Sequence, residues 1–249
     1  QGVKLIVIHA LMISIGLIMI GPLLWMVSTS LKHPLQVFDF TPKWIPDPIM
    51  WSNYAEAFSA APFLRYFWNS AKISTISMLG QLLFASMAAY AFARLRFPLK
   101  SQVFALLLST MMIPYTVRVI PLYAIFRELK WIDTHLPLII PPMSNVFGVF
   151  LLRQFFMSMP YELEEAARID GCSSLQIYYR IMLPLAKPAL AALGLFTFMT
   201  SWNAFLPPLI FINSNLKQTL TVGLTIFQGE FTVQWHLLMA GAVTAILPV

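Results

Sequence analysis

The chain has 249 residues, of which 59% are hydrophobic and 10% are charged, and its formal net charge is +6 at pH 7. Soluble domains are typically about 45–50% apolar and about 25% charged, so this composition excludes a disordered chain, a nucleic-acid-binding domain and most soluble enzymes. It predicts an all-α, polytopic membrane protein, because each spanning helix needs about 20 apolar residues. The single cysteine, Cys172, excludes an intramolecular disulfide.

Six apolar segments are predicted to span the membrane as one transmembrane domain covering residues 1–249. The first is too long for the apolar region of a signal peptide, which runs to about 7–15 residues. Pro114 interrupts the third segment, Pro207-Pro208 break the fifth, and the sixth is expected to be incomplete. Polar loops are predicted at 28–67, 126–135 and 213–235. The six spans cover about residues 5–27, 69–92, 102–123, 136–156, 189–212 and 236–249.

The basic residues predict the orientation of the chain in the membrane. Arg94, Arg96 and Lys100 lie in one short turn without an acidic residue, which is typical of a cytoplasmic loop. The N-terminus, one pair of spans earlier, is then cytoplasmic as well.

Residues 158–188 form the one long stretch with the character of a soluble protein. Ser158 is predicted to cap a first helix, Gly171 to end it, and Ser173 with Gln176 to form the capping box of a second helix. Pro184 is predicted to break that second helix before the fifth span. The stretch therefore reads as a helix-turn-helix hairpin on the cytoplasmic side.

Each hairpin helix carries a predicted apolar stripe. Leu163, Ala166 and Ala167 share one face of the first helix by their spacing. The stripe on the second helix comprises Leu175, Tyr178, Tyr179 and Met182. Two interpretations stay open from these residues alone: an amphipathic connector on the lipid headgroups, or a docking element for a soluble partner.

The hairpin resembles the EAA loop of ABC importer permeases. Glu165-Ala166-Ala167, Gly171, Ile181 and Leu183-Pro184 match that motif at fixed spacing. The chain is similar, more specifically, to the carbohydrate-uptake subfamily and to the smaller permease subunit of maltose-type transporters. It departs from the usual pattern at Ala204, where an acid is common, and at Thr221, where proline is common. Further matching segments are Ala88–Arg94, Met112–Pro114, Ile120–Tyr123, Phe150–Phe156 and Trp202–Leu206.

The resemblance implies a transport subunit of a bacterial or archaeal plasma membrane, without covalent chemistry or a bound cofactor of its own. ATP and Mg²⁺ would bind to partner ATPase subunits. The implied partners are a second homologous permease forming a heterodimer, two copies of an ABC ATPase, an extracytoplasmic solute-binding protein, a sugar or oligosaccharide, and membrane lipid. The implied coupling residues are Glu162, Glu165, Ala166, Ala167, Asp170 and Gly171.

Other candidate residues lie in the spans and in the last loop. Asn145, Trp202 and Asn203 could line a sugar path, or could equally make hydrogen bonds between helices. Gly229 and Glu230 are candidates for contact with the binding protein.

The alternative function is a gradient-driven secondary transporter for a small polar solute. Such a carrier would need acids or polar clusters at mid-membrane, whereas all ten acids here fall in loops or at span ends by this parsing. Arg118 could be an intramembrane charge with a function, or could extend its side chain to the interface. The four histidines lie far apart in the sequence, which disfavours an intramembrane metalloenzyme.

Overall fold

The computed structural model of the chain describes residues 2–41, 43–229 and 232–248, and this part of the chain is helical, with no strand. The prediction of an all-α fold is confirmed. The α-helices are α1 (Gly2–Ser30), α2 (Ser52–Ala60), α3 (Phe63–Arg94), α4 (Lys100–Ser109), α5 (Tyr115–Glu128), α6 (Leu136–Met143), α7 (Val146–Ser158), α8 (Glu162–Ile169), α9 (Ser174–Ile177), α10 (Leu183–Leu185), α11 (Lys187–Trp202), α12 (Leu206–Phe211), α13 (Leu220–Gly223) and α14 (Trp235–Ile246).

Within the described part of the chain, three helical segments are long and apolar enough to cross a membrane: Lys4–Ser30, Phe63–Arg94 and Leu136–Ser158. Two further pairs qualify only when each bent pair is taken together. Lys100–Met112 and Tyr115–Glu128 meet at 99°, and Ser174–Leu185 and Lys187–Trp202 meet at 76°. Because α14 is a shorter apolar helix, the count of six spans remains a prediction.

Proline and polar residues account for the helix breaks. Pro114 precedes α5 in extended conformation and separates it from α4, as predicted for the third span. α11 ends at Trp202, and Pro207 and Pro208 occupy the first turn of α12. The fifth span is therefore interrupted a few residues before its prolines, since proline is favoured at the start of a helix.

Two predicted loops differ from the structure. The loop expected from Phe126 starts only after Glu128, because α5 continues to that residue. The loop expected to be polar at 213–235 contains α13 and a 3₁₀-helix, Leu224–Phe227. Leu220 and Phe227 are buried there, so this loop contributes apolar side chains to a core.

The described parts of residues 1–67 and 219–249 form one compact unit. In it α14 packs against α1 and α2, and the rings of Phe63 and Phe227 stack with centroids 5.5 Å apart. Asn53 donates from its side chain to the carbonyls of Ser30 and Lys32, both at 2.9 Å, where α1 ends. The apolar side chains of α1 stay exposed within this chain, which leaves its surface for lipid or another subunit.

Residues 68–218 form the second unit. Its main core joins α3, α7, α11 and the hairpin. A Cβ at Gly148 would lie 2.6 Å from the side-chain nitrogen of Gln81. α7 and α3 therefore approach each other more closely than a residue larger than glycine at position 148 would permit. A second cluster joins α3, α5, α6 and α12. The fully buried side chains of the main core include Leu152, Phe156, Ile177, Met182 and Leu193.

Candidate functional site

The hairpin consists of α8, a tight turn, and α9 followed by a π-helical turn. Gly171 has a φ of +80°, its N–H donates to the carbonyl of Arg168, and the N–H of Cys172 donates to the carbonyl of Ala167. This pattern is a Schellman C-cap, which glycine accommodates without strain. The capping box of Ser173 and Gln176 is also present. The predicted end of the first helix and start of the second are confirmed.

The start of α8 differs from the prediction. Ser158 is the last residue of α7, and its hydroxyl donates to the carbonyl of Phe155 rather than capping α8. α8 begins at Glu162 after Pro160. The predicted cap was wrong because α7 extends past the apolar segment before it ends.

The stripe predicted on α8 is only partly covered by the rest of the chain. Glu164 and Ala167 face inward and are buried, whereas Leu163, Ala166 and Ile169 are exposed. Apolar spacing locates a helix face but does not show what covers it. Here a buried carboxylate takes the inner face, and an apolar surface, with Ile169 86% exposed, remains on the outer face.

The second stripe is altered by the π-helical turn at Tyr178–Met182. Tyr178 and Met182 are buried as expected, but Leu175 and Tyr179 are exposed, and Ile177 is buried instead. A π turn holds more residues than an α turn, so an α-helical period fails across it. Pro184 lies inside α10, and the chain bends at Ala186 instead, where α10 ends.

The candidate coupling residues lie mostly on the outer surface of the hairpin. Ala167 is the member that faces the core, where it is 5% exposed. The exposed members are Glu162, Glu165, Ala166, Asp170 and Gly171. The hairpin thus presents a surface of small, acidic and apolar residues.

Sequence reasoning missed how the basic residues around this hairpin are used. Arg94 is 4% exposed and lies 3.0 Å from the carboxylate of Glu164, a contact that the basic turn in the sequence did not predict. Lys100 donates to the carbonyls of Ala93 and Leu95 at the end of α3. These bases therefore satisfy helix ends and a buried acid, in addition to any effect on orientation.

The candidate substrate-path residues lie at helix ends. Asn145 caps α7, because its side-chain oxygen accepts from the N–H of Phe147 at 2.9 Å. Trp202 is buried and its ring stacks on that of Phe198, while Asn203 follows α11 and is exposed. α6 packs against α12 and α7 packs against α11, so the helices on either side of these two breaks are neighbours.

A polar network between two loops was not predicted. The carboxylate of Asp133 accepts from the N–H groups of Asn213 and Ser214, from the Ser214 hydroxyl and from Lys217. The hydrogen bonds from Ser214 hold the pKa of Asp133 well below its ordinary value. A polar turn was visible in the sequence, but partners about 80 residues away leave no local signal.

The structure shows few contacts for the remaining candidate residues. The N–H of Gly229 donates to the carbonyl of Thr232 at 3.0 Å, and Glu230 lies outside the described residues. Arg118 lies in α5 with its guanidinium 6.0 Å from the ring centroid of Tyr115. Across the described ranges, no group of three or more His, Cys, Asp or Glu side chains could hold a metal ion.

Apolar broken helices, with an exposed hairpin between two of them, define the class of a polytopic helical membrane protein. Comparison with known proteins agrees. The family described as "Binding-protein-dependent transport system inner membrane component" matches residues 81–249, and the chain belongs to it. It is therefore an inner-membrane permease rather than an enzyme, and as an ABC importer permease it works with an ATPase and a binding protein.

Several relatives cover most of both chains. The arabinooligosaccharides transport system permease protein AraQ of Halalkalibacterium halodurans is 34% identical over 238 residues, covering 94% of this chain and 85% of the relative. The sn-glycerol-3-phosphate transport system permease protein UgpE of Yersinia enterocolitica is 32% identical over 248 residues, covering 96% and 88%. The sulfoquinovosyl glycerol transport system permease protein SmoH of Agrobacterium fabrum is 32% identical over 230 residues, covering 92% and 81%.

A solved bacterial ABC transporter that imports the acidic polysaccharide alginate has the same fold. One of its chains superposes with a TM-score of 0.83 and 23% identity, covering 99% of this chain and 92% of that chain. Family membership decides between the two functions left open by the sequence: it favours the importer permease over the gradient-driven carrier.

Proposed function

We propose that this chain forms half of the translocation path of an ATP-driven importer for a hydroxyl-rich solute, a sugar or an oligosaccharide. It would pair with a second, homologous permease and with two copies of an ABC ATPase that bind ATP and Mg²⁺. The observation that carries the proposal is the exposed apolar and acidic surface of α8. Such a surface on a short hairpin outside the spans suits a cleft in a soluble subunit better than water.

The coupling argument rests on how the hairpin is built. The Schellman turn at Gly171 and the capping box at Ser173 fix its shape through local hydrogen bonds. Ala166 has no bulk to hold a partner away, and Glu165 is free to make a charge-assisted hydrogen bond. A hairpin that keeps its shape can transmit the closure of an ATPase dimer to the spans attached to it.

We propose a cytoplasmic N-terminus, because the hairpin must face the ATPase. Arg94 at the end of α3 contacts Glu164 of α8, so that end of α3 and the hairpin share one side of the membrane. If α1 and α3 each cross once, the chain starts on that side too.

The solute path is assigned to the helix breaks at Asn145 and Asn203. Backbone groups freed at such breaks are tolerated at membrane depth where they face protein or a water-filled cavity. The relatives named for arabinooligosaccharides, sulfoquinovosyl glycerol and sn-glycerol-3-phosphate support a hydroxyl-rich solute as the common chemistry. Gly229 remains a proposed contact for the binding protein.

The test is purification of the tagged chain from its own membranes in a mild detergent, followed by identification of every co-purifying protein. We expect a P-loop ATPase and a second, different permease. The purified complex is then placed in lipid nanodiscs with its binding protein, and ATP hydrolysis is measured against arabinooligosaccharides, sulfoquinovosyl glycerol, sn-glycerol-3-phosphate and alginate oligosaccharides.

Stimulation by one of these solutes would support the proposal and identify the substrate class. Recovery of the chain alone or as a homo-oligomer, under conditions that keep a known ABC importer intact, would contradict the proposed heterodimer. Stimulation by an amino acid but by none of the four solutes would contradict the substrate class.

A further inference from the structure

A single guanidinium joins three helices beside the hairpin. Arg94 is the last residue of α3, and its Nη2 atom lies 2.6 Å from each of the carbonyl oxygens of Phe156 and Met159, at the end of α7. Its planar group also lies over the ring of Tyr161, 4.8 Å from the ring centroid, just before α8. The ends of α3 and α7 are therefore tied together by directional hydrogen bonds to one buried side chain.

The contact of Arg94 with α8 is of a different kind. Its Nε atom lies 3.0 Å from Oε1 of Glu164, and the two side chains are 2% and 0% exposed. Neither carboxylate oxygen has a hydrogen-bond partner among the described residues, so the contact holds by charge rather than by an aligned N–H···O bond. Arg168 approaches the second oxygen only to 3.8 Å and is half exposed.

The two kinds of contact respond differently to a tilt of α8. A hydrogen bond weakens steeply when its angle changes, whereas an ion pair depends mainly on distance. α8 can therefore tilt about the guanidinium without losing its attachment, while the ends of α3 and α7 stay joined. Glu164 cannot leave freely, because a fully buried carboxylate without a countercharge is strongly unfavourable.

We propose that Arg94 is the pivot on which the coupling hairpin moves α3 and α7, with Glu164 as the positioning residue that keeps α8 on it. The inference rests on the proposed function of the hairpin and assigns roles to two residues outside its exposed surface. When an ATPase subunit displaces the outer face of α8, the Arg94 contact carries the displacement to the joined ends of α3 and α7. Motion of the two spans would then be coupled, instead of following the hairpin independently.

The test uses four variants in the purified complex: Arg94→Gln, Glu164→Gln, the double variant, and Arg96→Gln as a control. Arg96 is an exposed base two residues further along the chain, so it matches Arg94 in charge and loop. Each single change leaves a buried partner without its countercharge and is expected to lower the amount of complex in the membrane. The double change removes both charges, so it should restore the amount of complex.

The decisive readout is the ratio of ATP hydrolysis with loaded binding protein to hydrolysis without it. Wild type and Arg96→Gln should give the same ratio. The double variant should lose most of the stimulation, at least about fivefold, despite normal assembly, because a glutamine at 94 cannot hold the two α7 carbonyls and α8 together. A merely structural pair would give a double variant with the wild-type ratio, and that result would overturn the proposal.

A distance measurement gives a second readout. Spin labels at Arg96→Cys and Ser174→Cys, both exposed, are placed in a Cys172→Ser background. A pivot predicts one narrow distance distribution without nucleotide and a second narrow one with ATP and vanadate. In the double variant the distributions should broaden and lose their dependence on nucleotide. Two unchanged narrow distributions in that variant would contradict a pivot at Arg94.

The failure of this inference can be told apart from failure of the proposed function. If wild type does not co-purify with an ATPase, or is not stimulated by binding protein, the proposed function fails. If wild type is coupled and the double variant is coupled equally, only the role of Arg94 and Glu164 fails. Absence of complex for every variant at positions 94 and 164, the double variant included, would also overturn the pivot, because the pair would then serve only folding.

Discussion

The hydroxyls of Ser86 and Tyr178 lie 2.8 Å apart in a buried hydrogen bond that joins the last third of α3 to the π-helical turn of the hairpin. The ring of Tyr178 also packs on that of Tyr90, with centroids 5.3 Å apart. The second arm of the hairpin is thus held to the same helix as the first, one or two turns away from Arg94.

Removal of this bond should weaken the hairpin measurably. We expect Tyr178→Phe to cost about 0.5–1.5 kcal/mol, the usual net value of one buried hydrogen bond. Ser86 keeps its donor satisfied through the carbonyl of Leu83, so no new buried donor is left unpaired. The measurement is the apparent thermal unfolding midpoint of the complex in detergent.

Tyr90→Phe is the matched control, because the buried hydroxyl of Tyr90 has no hydrogen-bond partner in the described part of the chain. Its loss should leave the midpoint unchanged or raise it. Equal destabilisation by Tyr90→Phe and Tyr178→Phe would show that the Ser86 bond contributes nothing specific.

Glycine should be needed at position 171 for its backbone conformation and not because a side chain there would clash. A Cβ at Gly171 meets no atom within 4 Å, but its φ of +80° is unfavourable for L-residues by about 1–2 kcal/mol. We expect Gly171→Val to insert in the membrane normally and to reduce the stimulated ATP hydrolysis severalfold.

Gly171→Asn is the informative comparison, since asparagine tolerates the left-handed region and is larger than a methyl group. It should keep most of the stimulation. Equal loss in both variants would point to a steric contact with the ATPase at this position, and full activity of Gly171→Val would remove the turn from the coupling role.

The outer face of α8 should matter for assembly and not for folding. Ile169 is 86% exposed, so Ile169→Asp costs no core packing in this chain. A charge in a docked, desolvated position should weaken the complex, and we expect about a tenfold or greater loss of co-purifying ATPase, in the range typical of an interface hot spot.

Ile169→Leu controls for the substitution itself, because it keeps an apolar side chain of the same volume. Both variants should retain the wild-type amount of this chain in the membrane. Normal ATPase recovery with Ile169→Asp would mean that Ile169 is outside the docking surface.

The loop network at Asp133 should make stability depend on pH. Hydrogen bonds from Ser214 lower the folded pKa of Asp133, so its stabilising effect is complete above its unfolded pKa of about 3.9 and is lost as pH falls toward the lowered value. Asp133→Asn should therefore lower the unfolding midpoint at pH 7. The difference from wild type should shrink below about pH 4, because the unfolded chain takes up a proton at Asp133 there while the folded carboxylate stays charged down to its lowered pKa.

Asp39→Asn, at an exposed carboxylate, serves as the control and should change the midpoint little at either pH. A gap between wild type and Asp133→Asn that is the same at pH 7 and below pH 4 would show that the charge of Asp133 has no part in the effect.

Local signals in the sequence were sufficient for the ends of the hairpin. The glycine that ends α8 and the Ser173–Gln176 box act through hydrogen bonds within a few residues, and both appear in the structure as predicted. The length of the apolar segments was likewise sufficient to predict the all-α fold and most of the long helices.

Properties set by distant neighbours were predicted poorly. The inner face of α8 carries Glu164, whose partner Arg94 lies 70 positions earlier in the chain, so the apolar stripe could not show which face is buried. Arg94 was interpreted only as part of a basic turn that marks the cytoplasmic side, because composition cannot show that the carbonyls of Phe156 and Met159 lie beside it. The π-helical turn could not be predicted from apolar residues spaced at an α-helical period.

That π-helical turn also makes the length of the chain a structural variable. It accommodates one residue more than an α-helical turn between the hairpin and α11. Deleting one residue from 178–182 would remove the extra residue and return this segment to ordinary α-helical winding, with the flanking segments close to their original rotation. The chain can therefore lose one residue at this turn, whereas the buried side chains of Tyr178 and Met182 restrict which residues can stand there.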